Sequence, residues 1–253
     1  MKSIHAGILL IPLLVAPASI SAQSGVEVEF AETEDFDFGS QPPADLVVDR
    51  TLTEAEKDRL QRAIRDAARD VGALMPALTG DIHVTVVLVD RELDVVGGVS
   101  GRADAPGELF LELAIDYDGG VAAQMPAFTR TLYHEMHHLA RGWTIAGNRF
   151  GPGIAIAAVN EGLAEVFAEE QTGVMFESSE YPENADEWAR EILALPPDAD
   201  YGHWMFQHPD GRQAIGYRTG RYIIHQAMAR SGKSVLELSE LEPEEILRLA
   251  GVE

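Results

Sequence analysis

An α+β fold is expected from the sequence: a small mixed β-sheet packed on a helix that carries an H-E-x-x-H motif, followed by a mostly helical C-terminal half. Three observations predict it. The run Ile82 to Val89 is β-branched and almost wholly apolar, as a buried strand requires. Val121 to Trp143 repeats its apolar residues at helical spacing, with Phe128, Leu132, Met136, Leu139 and Trp143 on one stripe. Beyond Asn160 the chain reads as successive helices and no further strand. A chain of 253 residues suits one domain with a sizeable core.

The N-terminus reads as a signal peptide over 1–22. A basic start at Met1-Lys2 precedes an apolar run from Ala6 to Ala18, interrupted by Pro12 and Pro17 and too short for a good membrane span. Cleavage after Ala22 would leave a periplasmic or secreted protein with no stable membrane span. Residues 23–50 form an acidic arm, expected as a solvated or edge segment, in which Glu32 to Phe38 alternates acids with aromatics. The domain then runs over 51–253. Cys is absent, so stability comes from the core and any bound metal rather than disulfides. The net charge of -23, with Lys and Arg sparse and scattered, excludes nucleic acid as a partner. The sequence sets no oligomeric state.

Thr53 is placed as an N-cap, with Glu56 completing a capping box. The helix it starts carries Leu60, Ile64, Ala67, Val71 and Leu74 at helical spacing and ends before Pro76. After the strand at Ile82, a Gly-rich strand near Val95 to Arg102 turns at Pro106-Gly107 into a third, Glu108 to Leu113. The helix Val121 to Trp143 places His134 and His138 one turn apart, on the side away from its apolar stripe. A Gly-rich loop is expected from Gly142 to Ala158, then a helix from Asn160 to Glu169 with Glu161 and Glu165 one turn apart. Helices follow at Tyr181 to Leu195 and Gln213 to Arg230, separated by the aromatic cluster Tyr201 to Phe206. A closing helical stretch covers Leu236 to Leu249.

His134-Glu135-Met136-His137-His138 supplies two imidazoles able to share one tetrahedral Zn²⁺, with Glu135 beside them as general base. His137 falls off that axis. A catalytic zinc needs a third protein ligand, for which Glu161 is the leading candidate. The chemistry expected is hydrolysis of a peptide or protein substrate by a zinc-activated water, with one Zn²⁺ per chain and a second electrophile from Tyr217, His203 or Tyr222. Two alternatives fit parts of the pattern. Glu135-x-x-His138 with Asp200-x-x-His203 would serve a di-metal carboxylate bundle. A zinc-binding interaction module would need no intact Glu135.

H-E-x-x-H followed by Asn160-Glu161 and an acid at Glu165 resembles the gluzincin, thermolysin-like metallopeptidases. That resemblance implies a zincin-like fold, Glu161 as zinc ligand, and Asn160 and Glu165 behind the metal, Glu165 orienting a ligand histidine. The sequence more narrowly resembles a bacterial family of predicted Zn-dependent proteases described as a domain of unknown function. It carries that family's His-Glu-x-His-His, Glu161-Gly162-Leu163-Ala164-Glu165 and Gly216-Tyr217-Arg218-Thr219-Gly220 segments. In peptidases of the gluzincin group an edge strand before the motif helix pairs with substrate backbone, and Glu108 to Leu113 is the candidate.

Overall fold

In a computed structural model, which describes residues 25–31 and 50–252, the protein is α+β as expected. The signal peptide, its cleavage site and the Glu32 to Phe38 alternation lie outside the described residues. Four strands form the sheet: β1 (Val26–Phe30), β2 (Ile82–Val89), β3 (Val99–Ala105) and β4 (Glu108–Ala114). Their order is β1-β2-β4-β3; β1/β2 and β2/β4 pair parallel and β3/β4 antiparallel. The helices are α1 (Glu54–Leu74), α2 (Gly120–Arg141), α3 (Ile154–Thr172), α4 (Ala185–Leu193), α5 (Tyr201–Met205), α6 (Ile215–Ser231), α7 (Val235–Ser239) and α8 (Pro243–Ala250). No described helix is long and apolar enough to cross a membrane.

One expectation about the sheet is made specific and another is corrected. The stretch expected as a solvated or edge segment supplies an edge strand: Val26 to Phe30 pairs residue for residue with Ile82 to Val86. The strand Glu108 to Leu113, expected at the edge, lies inside the sheet between β2 and β3, and the edge beside α2 is β3. Period-2 patterning tells which residues share a face but carries nothing about which strand lies outermost.

The main core lies between one sheet face and the helices. Val84, Val86, Leu109, Leu111 and Leu113 meet Leu60, Ile64 and Val71 of α1 and Phe128, Leu132 and Met136 of α2. A smaller cluster of Val87, Val89, Leu93, Phe110 and Ala114 covers the opposite face. This leaves β2 buried on both faces, which is why it reads as a continuous apolar run. The capping box at the start of α1 is present: Thr53 accepts from the Glu56 backbone N–H, and the Glu56 carboxylate accepts from Thr53 N at 2.8 Å.

Helix boundaries moved where local pattern was weak. The motif helix stops at Arg141, because Gly142 takes a left-handed conformation (φ 74°) and returns its N–H to the His138 carbonyl. Trp143 therefore leaves the helix and does not join its core stripe. Helix α3 begins at Ile154, inside the expected loop. It is buried nearly all round from Ala157 to Ala168, so its sequence shows no amphipathic period to announce its start.

Helix α3 packs on α6 backbone to backbone. A side chain at Gly162 would collide with the Gly220 peptide, and one at Gly220 with the Ala158 carbonyl oxygen. That close approach fixes Glu161, the neighbour of Gly162, relative to Tyr217, one turn before Gly220.

Candidate metal centre

Helix α2 turns its apolar residues toward the core, and the opposite side carries His134, Glu135 and His138. Helix α3 crosses it and brings Glu161 and Glu165. His134 Nε2 and His138 Nε2 lie 3.0 Å apart, and Glu161 Oε2 lies 3.2 Å from the first and 3.1 Å from the second. The two imidazoles meet edge to face, with centroids 4.6 Å apart. All three residues are buried, and their donor atoms fall within 4.8 Å of one another. A neutral imidazole offers one acceptor nitrogen and a carboxylate only acceptors, so three such atoms on one point fit a cation. Two histidines and a glutamate, with one side open to solvent, are the donor set of a catalytic zinc site. Among the described residues this is the one group of this kind.

Glu165, expected behind a ligand histidine, stands beside His134. His134 Nδ1 lies 3.2 Å from Glu165 Oε1. Glu165 Oε2 in turn accepts from Arg130 Nη2 at 2.6 Å. Arg130 is buried, stacks 4.2 Å over the Phe176 ring and donates from Nε to the Val174 carbonyl. The line Arg130–Glu165–His134 thus runs outward from the centre. His138 has no carboxylate behind it; both Nδ1 atoms are buried without a formed hydrogen bond among the described residues, and at His134 the Glu165 carboxylate stands within ion-pair distance.

Electrostatics follow the geometry. Burial alone would lower the His134 imidazole, but contacts with Glu161 and Glu165 raise it to about 10. Burial would raise the two carboxyls. Instead His138 and His134 hold Glu161 far below the usual range, and His134 and Arg130 bring Glu165 to about 2. For Glu135 burial prevails over the nearby histidines, and its carboxyl is raised. A raised carboxyl is suited to taking and returning a proton.

Glu135 sits under the edge strand. A Cβ at Gly101 would stand 2.6 Å from Thr131 Cγ2 and 2.9 Å from Glu135 Cγ, so glycine is what lets β3 lie so close to this carboxylate. A cleft of ≈ 1040 Å³ opens there, bordered by Gly101 and Arg102 of β3, the metal-site residues, Trp143, Ile145, Tyr201 and Tyr217.

Tyr217 lines the cleft; burial and the Glu161 carboxylate raise its hydroxyl well above its ordinary value, keeping it a proton donor. The other two proposed electrophiles lie elsewhere. His203 faces its own N-capping Asp200 at 3.6 Å, and the Tyr222 ring packs on Tyr181. The Asp200/His203 pair is half exposed at the surface and contributes nothing to the cleft lining, which leaves the di-metal alternative without its second half. Asn160 bonds none of His134, His138 and Glu161: its Oδ1 accepts from Arg141 Nε at 2.6 Å and its Nδ2 donates to the Ile156 carbonyl.

Four residues here were not singled out for the site from sequence. Trp143 donates from Nε1 to Glu161 Oε1 at 3.0 Å, leaving Oε2 to face the histidines. Tyr201, half exposed in the cleft, has its hydroxyl pushed up by burial and by Glu161. Arg130 and Gly101 complete the set. Arg130 had one available signal, a cation one turn before His134 on the same helix face. The others depend on chain crossings that no local pattern records.

A family model described as Predicted Zn-dependent protease (DUF2268) matches residues 61–248, most of the chain and all of the metal centre. No curated protein and no solved structure matches it. The chain belongs to this family of predicted Zn-dependent proteases.

Proposed function

We propose that this family member is a zinc-dependent metallopeptidase of gluzincin type, holding one Zn²⁺ through His134 Nε2, His138 Nε2 and Glu161 Oε2. The observation that carries the reading is the convergence of those three buried atoms beside Glu135, under an open strand edge. Zinc in that position would lower the pKa of a water toward about 7 and polarise a carbonyl oxygen. Glu135 takes the proton from the attacking water and returns it to the leaving amine. Tyr217, held protonated at the cleft wall, donates to the oxygen on which negative charge develops, with Tyr201 as its neighbour in the same wall. Glu165 and Arg130 hold His134 in orientation, and Trp143 holds Glu161.

The substrate is a peptide or protein segment that adds as a strand to β3. Ala103 sends its carbonyl away from β4, to the Ile145 N–H. By the two-residue alternation of an antiparallel ladder, Gly101 presents its N–H and C=O groups to that same side, at the cleft. The sequence features of 1–22 favour a periplasmic or secreted site of action.

The test is Glu135→Gln. Its zinc content stays at one per chain, and hydrolysis of an unstructured protein substrate falls by about 10²–10⁴-fold, the range for removing a general base. A variant that still cleaves at the wild-type rate would sink the role of Glu135. A wild type that binds zinc yet cleaves nothing in a broad peptide library would favour the interaction-module alternative.

A further inference from the structure

We propose that the cleft selects its substrates by one large aromatic side chain, received on a preformed wall of Tyr201, Phe206 and Tyr217 beside the catalytic position. This rests on the peptidase reading above and deepens it, with Phe206 as the specificity-determining residue.

The wall is apolar where the fold has no need of it. Phe206 is 58% exposed and Tyr201 43%, and both line the cleft. Helix α5 is anchored by a different side chain, Met205, which is fully buried against α6; a side chain at Gly216 would collide with its Sδ. The exposed part of Phe206 contributes no burial energy to the free protein and gains it when another apolar group covers the ring. The wall is also held in place. Phe206 N–H donates to the Gly202 carbonyl at 3.0 Å, and its own carbonyl accepts from Ala214 N–H at 2.8 Å. Between them Gln207 bridges to Gln213, and Arg212 donates twice to the Glu191 carboxylate. A peptide side chain that meets this surface therefore gives up only its own freedom.

The rings continue to the metal centre. The Phe206 centroid lies 5.9 Å from that of Tyr201, edge to face, and 6.3 Å from that of Tyr217. Tyr217 is set against Glu161 by the Gly162–Gly220 contact. The Tyr201 hydroxyl is pushed up by burial and then by Glu161 and Glu135, so the inner end of that ring also borders the metal site. Phe206 thus stands one ring beyond the residues that face Glu161, a distance that a single side chain spans from the scissile bond.

The other face of the strand edge is built differently, which confines the selection to one position. Side chains alternate along β3: Gly101 faces Thr131 and Glu135, whereas Ser100 and Arg102 point to the opposite face of the sheet. On that face the cleft is lined by charge. The Arg102 guanidinium covers the Phe110 ring at 3.9 Å and pairs with Asp104, and Arg91 pairs with Glu112. A peptide added to β3 alternates in the same way. Its residue on the face of Gly101 meets the metal site and the aromatic wall. The residues to either side of it meet charged groups and are not selected for aromatic character.

The test begins with a degenerate peptide library cut by the zinc-loaded wild type, with the cleaved bonds read by mass spectrometry. Phe, Tyr and Trp are expected at a single position beside the cut, and kcat/KM for matched peptides should favour Phe over Ala there by about 10–100-fold. In Phe206→Ser that ratio should fall about tenfold, and in Phe206→Leu most of it should return. Zinc content equal to wild type in both variants separates a lost subsite from a lost metal. A wild-type profile that is flat around the cut, or that prefers small or charged residues at every position, would overturn the aromatic subsite and leave the peptidase reading standing. A Phe-over-Ala ratio unchanged in Phe206→Ser would overturn the role of Phe206. No cleavage of any peptide by wild type that retains its zinc would overturn both readings.

Discussion

Helix α2 carries two buried polar clusters on different sides, and they are built on opposite principles. On the side facing α7, Arg141 donates to Asn160 Oδ1 and to the Ser239 and Leu241 carbonyls, and His137 Nε2 pairs with Ser239 Oγ at 2.9 Å. Ser239 Oγ in turn bonds the Val235 carbonyl, and Asn160 the Ile156 carbonyl. Donors there find acceptors, with His137 Nδ1 left as the one buried acceptor without a partner among the described residues; burial holds His137 neutral, and the cluster ties α2 and α3 to the C-terminal helices. On the other side His134, His138 and Glu161 aim their acceptors at one point, with Glu135 and Glu165 adding carboxylates and only Arg130 as a permanent cation. A buried cluster whose donors all find acceptors within the chain is architecture, whereas one whose acceptors converge on a point leaves room there for a cation.

Removing metal should break the second cluster only. Chelation is expected to lower stability by about 4 kcal/mol relative to protein held at a thousandfold excess of zinc over its dissociation constant, read as a fall in Tm. Glu161→Ala should show little of this chelator sensitivity. Arg141→Met attacks the first cluster. It strands the acceptors of Asn160, Ser239 and Leu241 and should cost about 3 kcal/mol in urea unfolding, with zinc stoichiometry unchanged. Arg130→Met acts one step behind the ligands. It frees Glu165 to shift, and zinc affinity should weaken about 10–100-fold in competition with a chelator, with a smaller loss of stability.

The smallest effect is in the pH dependence of the metal-free protein. The Glu165 carboxyl has an ordinary value of 4.5 and stands at about 2 in the fold, so its contribution is complete above the former and is lost as pH falls through the latter. Stability should therefore decline between those values with a slope of at most about 1.4 kcal/mol per pH unit from this group. In Glu165→Gln that part of the slope should vanish. A slope unchanged in the variant would mean that Glu165 is not the responsible group.

Three histidines within five residues look alike in sequence, and helical geometry alone separated His137 from His134 and His138. What His137 does instead was not legible, because Ser239 reaches it from the other end of the chain. Glu161 and Glu165 were legible through their spacing after Asn160, but the role of Asn160 was not: it is spent on Arg141. The capping box at Thr53 could be read directly, since all its bonds span three residues. The edge strand was misassigned because β3 and β4 carry similar local signals, and their order depends on which of them β2 pairs with.

By itself, then, the sequence determined what acts through local periodicity: the α+β class, the helix that sets two imidazoles one turn apart, the carboxylates one turn apart on the next, and the glutamate between the histidines. Tertiary structure alone decided how those pieces meet. The Gly162–Gly220 crossing sets Glu161 against Tyr217, Trp143 leaves its helix to bond Glu161, and β3 rather than β4 lies over Glu135, with Ile145 N–H bonded to its Ala103 carbonyl. The physical reason is range: a helical turn is encoded within about four residues, whereas a close approach between two chain segments is fixed by the packing of everything between them.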